Sequence, residues 1–207
     1  MCRSLGMERI VEPELLDELP GDDPRARRSR RDLRLINFLM GNERWIRRTL
    51  AGKSGVIELG AGNGALTRTL PGAVGLDFQP APEDLRERWR EGDLFETLPT
   101  VAGDTVVACL ILHHFKDAGL RKLGALLAEK RRLVVVEPWR SRAALVQGKA
   151  LFPVVNDVTR HDMMVSIRAG FVPGELGSLL GLTEAGGWRW REKICWRGGL
   201  RAVAERI

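Results

Sequence analysis

The sequence has no tyrosine, three histidines and three cysteines. The missing tyrosine excludes nothing functional. The cysteines are more informative: Cys2, Cys109 and Cys195 are odd in number and far apart, so neither a disulfide framework nor a zinc-site spacing is present, and no metal is expected. Cys109 falls inside an apolar run and reads as a buried thiol. No apolar stretch approaches the roughly 20 residues that span a bilayer. The N-terminus lacks the uninterrupted apolar core of a secretory signal. A cytoplasmic protein with no membrane partner is the expectation. Internal repeats and RRM, KH or zinc-finger patterns are absent, which leaves a dedicated nucleic-acid module without support.

What remains is enough for one substantial core: 207 residues, 44% hydrophobic, with a net charge of +6. Strand-like runs near 55–59, 73–77, 88–92, 104–111, 132–137, 188–196 and 200–206 alternate with helical patterns, which predicts an α/β architecture. Leu120, Leu123, Leu126 and Leu127 give the helix over 118–130 its apolar stripe. Leu33, Ile36 and Met40 do the same within 32–50, where Gly41-Asn42 marks a break.

Residues 56–70, VIELGAGNGALTRTL, carry the strongest signal. An apolar run reaches the acid Glu58, turns through Gly60, Gly62 and Gly64, and opens a helix near Asn63. Glycine lets such a loop turn sharply and lets its backbone approach a nucleotide-like ligand with no Cβ in the way. Spacing alone leaves the ligand open, because Gly60, Gly62 and Ala65 also satisfy the G-x-G-x-x-A dinucleotide fingerprint. The next strand ends in Asp77, which disfavours a 2′-phosphate but leaves NAD possible.

Five segments in order resemble the class I S-adenosylmethionine-dependent methyltransferases, over roughly residues 50–207: Glu58-Leu-Gly-Ala-Gly-Asn-Gly64, Ala73-Val-Gly-Leu-Asp77, Glu91-Gly-Asp93-Leu94, and the two strands DTVVACLILHHF (104–115) and RLVVVEPW (132–139). The resemblance implies S-adenosyl-L-methionine as cofactor and S-adenosyl-L-homocysteine as product. It implies that Glu58, Gly60, Ala61, Gly62 and Asn63 line the cofactor, that Asp77 holds the ribose hydroxyls beside Phe78, and that Asp93 and Leu94 recognise adenine. Leu110, at the end of the fourth strand, completes that set.

The C-terminus separates this reading from a dehydrogenase. Residues 187–196 alternate aromatic and charged side chains, as a half-buried strand does, and Gly198-Gly199 signals a hairpin. Class I methyltransferases end in such an antiparallel hairpin. The expected fold is therefore a Rossmann-like, doubly wound, mostly parallel seven-stranded sheet ending in an antiparallel β-hairpin. An N-terminal helical extension would occupy 1–50 and the methyltransferase domain 51–207. Trp188, Trp190 and Trp196 in the hairpin read as core or interface.

Three segments bear on the acceptor. Leu112-His113-His114-Phe115 resembles the end of the fourth strand in methyltransferases of small phenols and quinones. It departs from the Asn/Asp-Pro-Pro-aromatic tetrapeptide of amino-methylating nucleic-acid enzymes. His113 or His114 could take the hydroxyl proton, since histidine titrates near neutrality; the alternative is that they cap the loop. Residues 156–171 contain Thr159-Arg160-His161-Asp162 ahead of Val165-Ser-Ile-Arg168, a run similar to small bacterial methyltransferases found beside type III polyketide synthases. Arg160 and His161 would bind an anionic or phenolic acceptor, or else fix a lid helix.

The arginines of RARRSRRDLR (25–34) admit three readings: a solvated face neutralised by the upstream acids Glu12, Glu14, Asp17, Glu18, Asp22 and Asp23, a phosphate contact, or a partner surface. The resulting expectation is methylation of a small-molecule acceptor, O-methylation of a phenolic or polyketide-like hydroxyl. The alternatives are an RNA methyltransferase using the arginine-rich helix and a non-catalytic S-adenosylmethionine-binding module. The acceptor's identity and the oligomeric state are not encoded in any motif.

Overall fold

The computed structural model describes residues 7–207. The chain runs α1 (Leu15–Glu18), α2 (Pro24–Met40), α3 (Asn42–Thr49), β1 (Val56–Leu59), α4 (Ala65–Thr69), β2 (Val74–Asp77), β3 (Trp89–Glu91), α5 (Leu94–Thr97), β4 (Thr105–Cys109), α6 (Asp117–Leu127), β5 (Arg132–Pro138), α7 (Arg142–Ala150), α8 (Asp157–Ala169), α9 (Glu175–Leu180), β6 (Trp188–Cys195) and β7 (Gly199–Arg206). The strands form a seven-stranded sheet in the order β3-β2-β1-β4-β5-β7-β6. Strands β1 to β5 pair in parallel, whereas β7 is antiparallel to both β5 and β6. The order reverses between β1 and β4, and ligands of open α/β sheets sit outside the strand ends at that switch point.

Both faces of the sheet are buried, so the central strands read as continuous apolar runs. The two-residue side-chain period sends Ile57, Leu59, Val106 and Ala108 to one face, against Leu120, Leu123 and Leu127 of α6. It sends Val56, Val107, Val134 and Val136 to the other, against Ile46 and Leu50 and against Leu66 and Leu70. The helix break expected at Gly41-Asn42 is realised: Gly41 has φ 66° and caps α2, its N–H reaching the carbonyls of Asn37 and Phe38.

Ile46 of α3 and Leu50, which precede the sheet, pack under it in one cluster with Val56, Val107, Val134 and Val136. One expectation needs correction. The fourth strand, expected over 104–111, stops at Cys109, because Leu110 takes a left-handed backbone (φ 58°) that no strand accommodates.

Helix α9 crosses α6 with backbone nearly touching backbone. A Cβ added at Gly124 would lie 1.7 Å from the carbonyl oxygen of Leu180. Gly124→Ala is expected to cost about 3 kcal/mol or more in urea unfolding, since neither helix can yield without opening the core. A variant as stable as the parent would show that the two helices do not meet there.

Candidate active site

The carboxyl ends of β1, β2 and β4 open into a cleft of about 1700 Å³. In the loop after β1, Gly60 and Gly62 have φ of 62° and 56°, conformations that β-carbon-bearing residues avoid. A Cβ on Gly60 would come within 2.6 Å of Ile111, whereas around Gly62 there is open space. The loop thus packs on one side and presents bare backbone on the other. Asp77 fixes it from β2: one carboxylate oxygen accepts the N–H of Gly62 at 2.7 Å and the other that of Gln79 at 2.8 Å. Each oxygen keeps a lone pair for hydroxyls in the cleft. Ala61, Asn63, Leu94, Leu110 and the exposed ring of Phe78 also line the cleft. Asn63 turns its side chain onto the Ala65 N–H. Asp93 is not among the lining residues; one of its oxygens caps α5 by accepting the Phe95 N–H at 2.8 Å.

Glu58 is buried on the α3–α4 side and accepts a hydrogen bond from the Thr67 hydroxyl. Burial raises its pKa from 4.5 to about 8, so the carboxyl is protonated near neutrality. Because the folded value lies above that of the unfolded chain, this group's contribution to stability is complete below about pH 4.5 and is lost as pH rises through about 8. Denaturant titrations of the ligand-free protein should therefore show a fall of a few kcal/mol over that window. In Glu58→Gln this component should vanish. Parallel pH profiles for the two proteins would contradict the burial argument.

The other end of the cleft is built from parts distant in the chain. Glu137, fully buried at the end of β5, accepts the backbone N–H groups of Ile111 (3.0 Å), Leu112 (2.7 Å) and His113 (3.3 Å). The same carboxylate sits 2.7 Å from Nδ1 of His113. It holds the strained turn at Leu110, a conformation costing roughly 1–2 kcal/mol for a residue with a side chain. Across the cleft, the other ring nitrogen of His113 faces the Glu14 carboxylate at 3.5 Å, and His114 Nδ1 lies 3.8 Å from Asp17.

These partners divide the two histidines. Burial opposes charge on His113, but Glu137 and Glu14 outweigh it and raise its pKa to about 9. Burial and the neighbouring His113 charge both lower that of His114. With a carboxylate facing each nitrogen, His113 is held in its charged form near neutrality and is poorly placed to act as the base expected of it. His114 stays neutral, lines the cleft and keeps the capacity to accept a proton.

Arg160 and His161 are likewise corrected in position. On α8 the cleft-facing residues are Asp162, Met163, Ser166 and Ile167, one helical face. His161 falls on the opposite side, and Arg160 is drawn away to the carbonyl of Phe152 at 2.8 Å. Asn156 caps α8 through the Thr159 N–H, as the sequence indicates. Asp162 instead points back and receives the N–H groups of Leu15 and Leu16, fastening α1 over the cleft. The acids upstream of the arginines therefore serve the cleft more than the arginines. Glu14 and Asp17 face the histidines, and Asp23 pairs with Arg25. In the hairpin, Trp188 is core and Trp190 packs on Gly177, but Trp196 is 74% exposed at the cleft mouth.

Neither a family model nor a curated protein sequence matches the chain. Solved structures do. The plantazolicin methyltransferase BamL, in complex with a triazolic desmethylPZN analog and SAH, superposes with a TM-score of 0.69 at 13% identity, over 92% of each chain. The pyocyanin biosynthetic protein PhzM gives 0.60 at 24% identity over 94% of this chain, and the mitomycin 7-O-methyltransferase MmcR 0.59 at 23% over 93%. The fold is that of the class I methyltransferases. The chain spans less than two thirds of PhzM and MmcR, 62% and 60% of their lengths, and nearly the whole of BamL. Within this methyltransferase fold, sequence reasoning missed the cleft residues Glu14 and Asp17 and the buried Glu137 behind the histidines. Glu14 and Asp17 sit in an acidic run with no motif of their own, and Glu137 had only its place at the end of an apolar strand to mark it.

Proposed function

We propose that the protein is an S-adenosylmethionine-dependent methyltransferase acting on a small-molecule acceptor, an O-methyltransferase of a phenolic or polyketide-like hydroxyl. The observation that carries this reading is the Asp77 carboxylate, fixed by two backbone N–H groups beside an open glycine backbone, in the same cleft as His114. Asp77 suits a ribose diol, the exposed Phe78 ring suits an adenine face, and Leu94 supplies an apolar neighbour. The cofactor supplies a methyl group made electrophilic by a sulfonium.

The chain's own residues do the rest. Leu33, Ile36 and Met40 of α2 face Leu151, Met163 and Ile167 across the acceptor side, an apolar lining suited to an aromatic molecule. Holding the hydroxyl in line with the methyl carbon lowers the barrier by removing the entropy of encounter. Bound in the cleft, the cofactor would supply the electrophilic methyl group, and His114 or solvent would take the proton that the acceptor hydroxyl gives up. Dispersal of charge in that step is favoured by a dry pocket. The apolar lining supports a small acceptor over RNA, although Arg30 and Arg34 reach the cleft rim. A place beside a polyketide synthase is supported by the 159–168 run and by Arg31-Asp-Leu-Arg-Leu-Ile-Asn37, which fits the same group.

Isothermal titration with S-adenosylhomocysteine, with NAD as a control, tests the cofactor half of this reading. Micromolar binding of the former alone is expected, and NAD binding alone would overturn it. With the cofactor established, a screen of phenols and polyketides against wild type and His114→Gln tests the acceptor half. A loss of about 10²-fold in kcat at unchanged cofactor affinity is expected if His114 takes the proton.

A further inference from the structure

We infer that Glu14, His113 and His114 form a divalent-metal site on the acceptor side of the cleft. One ligand atom from each of these residues lies within 4.8 Å of the other two, and they are the one such cluster among the described residues. One pair, His113 Nε2 and a Glu14 oxygen, is 3.5 Å apart. Ligands held at about 2.0–2.2 Å from a tetrahedral ion lie roughly 3.3–3.6 Å from one another, so this pair already has the separation of two donors sharing one ion. His114 is the most exposed of the three, with a side chain 30% accessible, and a small rotation brings its ring in.

Two further features point the same way. His113 turns its Nδ1 onto the buried Glu137 at 2.7 Å and its other nitrogen onto Glu14. Metal-binding histidines are oriented in this manner, one nitrogen donating to a carboxylate while the other is aimed at the ion. The surroundings also carry an excess of negative charge. Glu14, Asp17 and Glu137 face the two imidazoles, and Asp162 caps the short helix that carries Asp17. A dication would balance them; Asp17, 3.8 Å from His114 but outside the three-residue cluster, would contribute charge without ligating.

Two imidazoles with a carboxylate suit zinc and related first-row divalent ions better than magnesium or calcium. Sequence spacing gives no sign of the site because Glu14 reaches the histidine pair from the far end of the chain. An ion there would bind an acceptor that offers an oxygen anion. Binding an ion would release the His113 proton that faces Glu14 and would make His114 a ligand instead of a proton acceptor, so in the metal-bound protein the hydroxyl proton would pass to solvent. The inference does not depend on methyl transfer, and its test is independent of the cofactor.

The full-length protein, stripped with a chelator, would be titrated with Zn²⁺ by calorimetry and with Co²⁺ while its visible ligand-field absorption is followed. One equivalent is expected to bind at micromolar affinity or tighter. Glu14→Gln and His114→Ala should each weaken it at least about tenfold, and Glu137→Gln, acting through His113, by about tenfold. His161→Ala, outside the cleft, should leave it unchanged. Thermal melts would establish that each variant is folded. No Zn²⁺ binding by the parent protein, or undiminished binding by folded Glu14→Gln and His114→Ala, would overturn the site. Weakening by His161→Ala with no effect of the other two would place the metal elsewhere and equally overturn it.

Discussion

Asp77→Ala should weaken S-adenosylhomocysteine binding by about 100-fold or more. The carboxylate has two tasks in the proposed complex. It accepts the Gly62 and Gln79 N–H groups, which sets the loop, and it offers its remaining lone pairs to two ribose hydroxyls. Hydrogen bonds to a charged group contribute about 1.5–3 kcal/mol each, so the two hydroxyl bonds alone account for about 3 kcal/mol or more, which is the stated factor. Asp77→Asn keeps one acceptor oxygen and should fall between. Because Asp77 is at the cleft edge rather than in the core, both variants should melt close to the parent. An unchanged dissociation constant in a folded Asp77→Ala would remove the ribose-binding role and, with it, the observation on which the functional proposal rests.

The second large effect is on stability. Glu137→Ala leaves the N–H groups of Ile111, Leu112 and His113 without their acceptor and strands the buried His113 imidazole beside an empty space. Removing one partner of a buried charged pair costs about 3–5 kcal/mol. In a chain of this size that corresponds to a melting temperature lower by roughly 10 °C. Glu137→Gln preserves the volume and one acceptor and should lose less. Since Glu137 also holds the left-handed turn at Leu110, the alanine variant should lose cofactor affinity as well. An alanine variant that melts with the parent would mean that the turn is held by something other than this carboxylate.

These two carboxylates mark how much of the site was legible in the sequence. Asp77 was legible because its position is local: it ends a short apolar strand, a fixed distance beyond a glycine loop, and both features survive in one dimension. The alternation of Trp188 to Cys195 and the Gly198-Gly199 turn announced the closing hairpin for the same reason, since side-chain period and turn chemistry are properties of neighbouring residues. The apolar strands, the break at Gly41 and the cap at Asn156 belong to this class too. Periodicity, glycine placement and capping thus determined the α/β class, the sheet ending and the cofactor loop.

Tertiary structure alone decided the acceptor side. Nothing near Glu14 in the chain distinguishes it from Glu12 or Glu18, yet the return of α1 across α8, pinned by Asp162, sets it opposite His113. The different protonation of two adjacent histidines likewise follows from which carboxylates the fold brings to each, not from their own sequence context. Arg160 and His161 were misplaced because a helix shows one face to the cleft, and packing fixes which face. A charged group's role depends on its partners and its burial. Both are set by contacts between segments distant in the chain, which leave no period and no spacing to read.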